Sequence, residues 1–161
     1  MALTPRHIVQ ENALCRHDEN SGTAEAGAIV RLSGENKLAA ITSISGGAPY
    51  ALLAQRVKAQ AAGLPQNFQF PGEIGNSDAH VGDPVLCFQS GGIFETTHYL
   101  VSGSLAAGAP LYASATQGRL TNVSASGALE GGVPKVCAIA QNSLSAAQAA
   151  AGENLVIKLA L

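Results

Sequence analysis

Short apolar runs separated by glycine-centred turns dominate the pattern of this chain. Residues 26–30, 81–85 and 107–111 each place a glycine just ahead of such a run, and a further glycine follows at Gly34, Gly91 and Gly118. Glycine relieves backbone strain at tight turns, and the short runs between such turns are typical of β-strands. The pattern predicts a succession of short β-hairpins.

The apolar positions also locate the individual hairpins. Each of three predicted hairpins joins two neighbouring runs: residues 29–32 with 38–44, 81–95 with 96–104, and 105–112 with 118–124. Leu52, Leu53 and Val57 fit either a buried strand or a single helical turn, and we interpret them as a strand.

The last part of the sequence predicts two strands on either side of a helix. Residues 136–140 and 155–161 have the composition of strands, and Cys137 is expected to act as a small buried hydrophobic residue. Asn142 or Ser143 can cap an alanine-rich helix over residues 144–151, and Gly152 can end it. The predicted fold is therefore mainly β: a small sandwich-like or barrel-like domain of short hairpins over residues 26–161, with one short helix near the C-terminus.

Residues 1–25 are more polar than the rest of the chain and predict an extended N-terminal arm. Such a segment is either a frayed terminus or an element that orders against a partner, by adding a strand or by threading a groove.

Residues 60–80 contain too many prolines, glycines and other turn residues for a continuous element, so they predict a long loop. Phe68 and Phe70 lie within it. Long loops often carry contacts, which makes these two side chains candidates for an interface; the alternative is that they cap the core.

Composition favours a protein that acts through its surface. The chain is 47% apolar but only 4% aromatic, which predicts a thin core of small side chains that neighbouring subunits help to stabilise. Only 12% of residues are charged and the formal net charge is −2, so the basic face required for nucleic acid is not expected. A weakly charged surface favours contact with other proteins.

The sequence predicts neither a membrane span nor a secretory leader. No stretch of about 18 uninterrupted apolar residues occurs, and no apolar segment follows Arg6 and His7. The three cysteines, Cys15, Cys87 and Cys137, are far apart in the sequence, so neither a disulfide framework nor zinc spacing is expected. Synthesis in a reducing cytoplasm fits this pattern.

No motif for catalysis or for a cofactor stands out. His7, His17, His80 and His98 lack metal-ligand spacing and are expected to be solvated or capping residues. Asp78, Asp83 and Glu95 are expected to be ordinary solvated carboxylates. The sequence thus predicts a non-catalytic protein without metal or cofactor. An enzyme whose site combines His80 or His98 with Asp83 between subunits remains the alternative.

Three parts of the sequence resemble those of a known family: residues 47–58, residues 108–113 with 118–121, and residues 136–140 with 156–159. In this order they resemble the head decoration proteins, or capsid cement proteins, of tailed bacteriophages. The resemblance extends over residues 26–161. It implies a small β-rich structural protein, generally without enzymatic activity, that binds the outside of an expanded capsid, often as a homotrimer, and clamps neighbouring major capsid subunits.

The resemblance suggests a mechanism for the arm and the body. We expect the arm to lie along the capsid by strand addition while the hairpin body forms the trimer. The expected capsid-contacting residues are Leu3, Thr4, Pro5, His7, Ile8 and Val9. A non-catalytic module that binds carbohydrate or a tail component is the alternative function. A sugar site would draw on the few aromatic residues: Tyr50, Phe68, Phe70, Phe88, Phe94, Tyr99 and Tyr112.

Overall fold

The structure, a computed structural model, describes residues 3–7, 11–12, 15–59 and 78–161. It is mainly β, with one short α-helix near the C-terminus, as predicted. In chain order the strands are β1 (Leu3–His7), β2 (Glu11–Asn12), β3 (Arg16–His17), β4 (Ile29–Gly34), β5 (Lys37–Ala40), β6 (Pro49–Leu53), β7 (Arg56–Lys58), β8 (Asp78–His80), β9 (Cys87–Phe88), β10 (Ile93–Thr96), β11 (Pro110–Ala113), β12 (Leu120–Thr121), β13 (Leu129–Glu130), β14 (Val133–Pro134), β15 (Val136–Ala140) and β16 (Leu155–Leu159). The helix is α1 (Ala146–Ala151).

Two six-stranded sheets form the body. The first has the order β1-β10-β16-β15-β11-β12, and the second has the order β2-β9-β6-β4-β5-β3. Neighbouring strands within them are antiparallel except for the parallel pair β3 and β5. Strands β13 and β14 form a separate hairpin, and β7 pairs with β8 in parallel.

The main core lies between the two sheets. Phe88 of the second sheet contacts Phe94 of the first, with 4.8 Å between the ring centres. Around this pair, Ile29 and Leu52 from the second sheet pack in one cluster with Leu111 and other aliphatic residues of the first. Aromatic pairs at this spacing add to the free energy gained by burying apolar area, so this contact helps to hold the sheets face to face.

A second core covers the opposite face of the second sheet. Val30 and Leu53 point into it, whereas their neighbours Ile29 and Leu52 point into the first core. Because successive residues of a strand face opposite sides, a sheet buried on both faces needs apolar residues at consecutive positions. This explains why the runs 28–30 and 51–53 are continuously apolar rather than alternating.

The turn between β11 and β12 joins the sheets through its backbone. Gly118 accepts a hydrogen bond from the Ile29 N–H of β4 (2.9 Å) and donates one to the Ile41 carbonyl (3.0 Å). Its φ of +67° lies in the left-handed region, and a Cβ atom there would lie 2.0 Å from the Ile29 carbonyl oxygen. Only glycine allows the two backbones to approach this closely.

The first and third predicted hairpins are confirmed as β4–β5 and β11–β12. The strand interpretation of Leu52, Leu53 and Val57 is confirmed over two separate strands, with Leu52 and Leu53 on β6 and Val57 on β7. The second predicted hairpin is wrong. Its first run, residues 81–95, contains β9 and most of β10, which lie in different sheets. Its second run, residues 96–104, holds no named strand after β10 ends at Thr96. Gly91 and Gly92 both have positive φ, and this turn carries the chain from one sheet to the other instead of folding it back on itself.

The C-terminal strands β15 and β16 and the buried position of Cys137 confirm the predictions there. The helix starts later than predicted. Ser145, not Asn142 or Ser143, caps it through the Gln148 N–H, and Gly152 ends it with φ +71°. Leu144 is buried and pairs with Leu105 as an isolated β-bridge, which holds this residue outside the helix.

The described parts of residues 1–25 take part in the sheets. The backbone of β1 pairs with β10, β2 pairs with β9, and β3 pairs with β5. Cys15 and Ala24 belong to the second core, and Ala24 forms a bridge with Val57. Residues from Cys15 onward therefore belong to the folded body.

The close approach at Gly118 can be tested by adding a single methyl group. We expect Gly118→Ala to lower the free energy of unfolding by about 3 to 5 kcal/mol, because the substitution adds a backbone clash to the cost of a left-handed residue. Gly103→Ala is the matched control, since Gly103 also has positive φ but nothing lies within 4 Å of its Cβ position. It should cost only about 1 kcal/mol. Urea unfolding of both variants measures the difference, and equal losses would contradict the proposed role of the contact.

Candidate functional site

An open groove of about 610 Å³ lies beside the β11–β12 hairpin. Four segments line it: the turn at Ile44, residues 100–102, residues 114–116, and the stretch from Thr121 to Ser126. Among the residues that the structure describes, those that line the groove have aliphatic side chains or Ser and Thr hydroxyls, and none of them is charged. This composition suits a contact with another protein surface better than the binding of an ion.

Three exposed aliphatic residues mark the groove. Leu100, Ile44 and Val123 are 49%, 37% and 37% exposed, and they are three of the five large hydrophobic residues exposed among those described. A concentration of such residues on one face is typical of an interaction surface, whereas single exposed hydrophobic residues are ordinary. Leu32 and Val133, the other two, do not line the groove.

Hydrogen bonds hold the loops of the groove in place. The Asn122 amide donates to the Ser102 carbonyl (3.0 Å) and accepts from the Ser102 N–H (2.9 Å). The Leu100 N–H donates to the Leu120 carbonyl, and the Leu129 N–H donates to the Ile44 carbonyl. Because these loops are tied to strand residues and to each other, the groove is a preformed surface.

The sequence pattern did not reveal this groove, since its residues come from loops that are distant in the chain. Residues 100–102 lie in a segment that the sequence predicted to be a strand of the second hairpin. A weak signal was present: Leu100 and Val101 precede a Ser-Gly-Ser turn rather than a continued alternation.

The prediction that the histidines are solvated or capping residues is wrong for His17 and His98, which are 0% and 5% exposed. The His17 N–H donates a hydrogen bond to the Asp83 carbonyl, and the His17 carbonyl accepts one from the Gly82 N–H. The His98 ring nitrogen Nε2 lies 3.3 Å from the Gln117 carbonyl, next to the Gly118 turn. Packing against the sheets outweighs the preference of imidazole for water at both positions. The predicted solvated His7 lies on β1, whose side chains are outside the description.

Burial lowers the pKa of both imidazoles. For His17, loss of hydration opposes protonation and outweighs the favourable influence of Asp18. For His98, burial again lowers the pKa, the hydrogen bond to Gln117 partly offsets this effect, and the positive charge of Arg119 adds to it. Both groups are therefore structural and favour the neutral form.

His80 and Asp83, considered as a possible catalytic pair, do lie close together. His80 Nδ1 is 3.6 Å from Asp83 Oδ2, and the same carboxylate oxygen accepts a hydrogen bond from the His80 backbone N–H (3.1 Å). The prediction that Asp83 is solvated is wrong, because it is 5% exposed. Its position within a turn closed by the Asp83 N–H and the His80 carbonyl explains the burial. His98 is engaged elsewhere, with Gln117.

The other predicted site residues fall into two groups. Leu3, Thr4, Pro5 and His7 lie on β1, the edge strand of the first sheet. Ile8, Val9, Phe68 and Phe70 lie outside the described residues, as does most of the predicted loop 60–80. Among the described aromatic residues, Phe88, Phe94 and Tyr99 are buried, which removes them from any sugar-binding surface, whereas Tyr50 and Tyr112 are half-buried.

Two further observations concern ligands and membranes. Within the part of the chain that the structure describes, no group of three His, Cys, Asp or Glu side chains could hold a metal ion. No helix among these residues has the length and apolar character that crossing a membrane requires.

Comparison with known proteins finds no family model that matches the chain and no curated protein that matches its sequence.

The buried histidines predict a loss of stability in mild acid. An imidazole in the unfolded chain has a pKa of about 6.5, whereas burial lowers the pKa of His17 and His98 in the folded protein. The unfolded state therefore binds more protons as the pH falls below about 6.5. The free energy of unfolding should therefore fall between about pH 7 and pH 5, and it should recover as the pH rises. His98→Gln, which can still donate to the Gln117 carbonyl, should show a smaller fall.

Urea unfolding from pH 8 to pH 5 measures this effect. Asp18 and Glu19 do not interfere: hydrogen bonds from Ser33 and Lys37 lower their pKa values below the ordinary 3.8 and 4.5, so their contribution is lost only in stronger acid. An unchanged pH dependence in His98→Gln would contradict the assignment to His98.

Proposed function

We propose that this chain is a structural protein of a tailed bacteriophage virion that binds the exterior of the expanded capsid as a homotrimer and stabilises it. The observation that carries the proposal is the uncharged groove with its three exposed aliphatic residues on an all-β body. We assign this groove to contact between protomers. The resemblance of residues 26–161 to head decoration proteins supports the same function.

The charge distribution favours association of identical chains. A net charge of −2 per chain gives little repulsion between copies, and the groove itself contributes no charge to be desolvated. Burying the groove in a trimer would remove Leu100, Ile44 and Val123 from water, and each buried aliphatic side chain contributes favourably to association.

The edge of the first sheet supports the proposed contact with the major capsid protein. β1 is the terminal strand of the order β1-β10-β16, so one side of its backbone faces away from the sheet. An unpaired strand edge can accept a strand from another protein through main-chain hydrogen bonds. In this proposal β1 provides the capsid contact, and the body from Cys15 onward provides the trimer.

Stabilisation of the shell follows from mass action. A protein that binds the expanded lattice better than other states shifts the equilibrium toward that lattice. Three linked copies raise the effective concentration of each contact, so each protomer needs only a modest interface with the capsid.

The assignment of the groove can be tested with a charge. We expect Leu100→Glu to convert the trimer into monomers, because three carboxylates would have to be buried in apolar interfaces. Leu32→Glu is the matched control: Leu32 is 45% exposed, close to the 49% of Leu100, but lies away from the groove. Light scattering during size-exclusion chromatography measures the mass of each variant. A trimeric Leu100→Glu, or a wild-type monomer, would contradict the assignment.

The role of β1 can be tested by deleting residues 2–9, which leaves the body from Cys15 onward intact. We expect co-sedimentation with expanded heads of the cognate major capsid protein to weaken at least tenfold, or about 1.4 kcal/mol, since the main-chain hydrogen bonds of an added strand are lost. The wild-type protein should bind expanded heads in preference to unexpanded ones. The truncated protein must keep its oligomeric mass and its thermal transition. Undiminished binding by such a folded variant would refute the role of β1.

A further inference from the structure

Two cysteines that are far apart in the sequence meet in the second core. β2 pairs with β9 so that Asn12 lies opposite Cys87, and Arg16 forms an antiparallel bridge with Pro84. Between these pairs, the Val85 N–H donates to the Cys15 carbonyl (3.0 Å), which places Cys15 opposite Val85. Residues two apart on a strand share a face, so Cys87 lies on the same face as Val85 and diagonally across from Cys15.

The side chains of the two cysteines also meet in this core. Cys15 and Cys87 are both buried within one cluster, at 1% and 0% exposure. Their thiols are hydrogen-bonded to each other, and the Tyr50 hydroxyl also contacts the Cys15 thiol. Both cysteines are in the reduced thiol form in this structure, as is Cys137.

We propose that Cys15 and Cys87 form a site of covalent modification: under oxidising conditions they join in a disulfide that ties the N-terminal part of the chain to β9. The two thiols share one buried cluster and are hydrogen-bonded to each other, so we expect the bond to require little movement of the backbone. Cys137 belongs to the other core and is not a competing partner. This proposal does not depend on the function proposed above.

Glutathione disulfide is a suitable oxidant for this reaction. The thiolate of one cysteine attacks a sulfur of glutathione disulfide, and one glutathione thiolate leaves. The thiolate of the second cysteine then attacks the protein sulfur of the mixed disulfide and releases the second glutathione. The protein loses two electrons and two protons, and one glutathione disulfide becomes two glutathione thiols.

Burial limits the conditions under which the disulfide can form. It raises the pKa of both thiols, that of Cys87 to about 12, so the folded protein exposes little reactive thiolate at neutral pH. We therefore expect the bond to form as the chain folds or opens in an oxidising medium and to remain once formed. The reduced form is the one expected in a reducing cytoplasm.

Refolding of the full chain in glutathione buffers tests the proposal. After free thiols are alkylated, trypsin separates the three cysteines into peptides 7–16, 59–119 and 136–158. We expect oxidising buffers to give a cross-link between the first two peptides, a protein lighter by two hydrogen atoms, and an alkylated third peptide. Because the bond closes a loop of roughly 70 residues, the oxidised protein should melt roughly 10 °C higher.

Two variants make the result specific. Cys137→Ala should keep both the cross-link and the rise in melting temperature, whereas Cys15→Ala should lose both. A cross-link to Cys137 would overturn the proposal. So would glutathione adducts on Cys15 and Cys87 without a cross-link, or free thiols at every buffer potential.

Discussion

The packing of the two sheets depends on one backbone contact, in which Gly118 lies against Ile29 of β4. The hydrogen bonds from Ile29 to Gly118 and from Gly118 to Ile41 run between the two sheets. In most β-sandwiches, by contrast, the two sheets contact each other through side chains alone. The space that a methyl group would need is occupied by the Ile29 carbonyl. Phe88 and Phe94 add a side-chain contact between the sheets. Without the glycine, the β11–β12 turn could not approach β4.

This close approach suits a chain with few large side chains. With only 4% aromatic residues, a wide gap between the sheets could not be filled, so alanines such as Ala113, Ala138 and Ala140 pack at full burial in the main core. The second core uses equally small residues, including Cys15, Ala24 and Ala79. The N-terminal segment thereby covers a sheet face that would otherwise be exposed, which explains why residues from Cys15 onward belong to the body despite their polar neighbours.

The sequence predicted the elements better than their partners. Glycine turns and local apolar runs identified β4–β5, β11–β12, β15 and β16, because those signals lie within a few residues of each other. The placement of β9 and β10 in different sheets depends on the backbone angles of Gly91 and Gly92, and composition does not specify these angles. Likewise, the burial of His17 and His98, the groove and the meeting of Cys15 with Cys87 arise from pairing between distant segments, and no local pattern encodes such pairing.

The β11–β12 turn takes part both in the groove and in the contact between the sheets. Residues 114–116 line the groove, whereas Gly118, two positions further, contacts β4. The buried His98 ring contacts the Gln117 carbonyl of the same turn, and Leu100 to Ser102, which follow soon after His98, also line the groove. The surface proposed to join protomers therefore lies next to the close backbone contact between Gly118 and β4. Such a surface loses little conformational entropy on association, which favours binding by a chain with small contact residues.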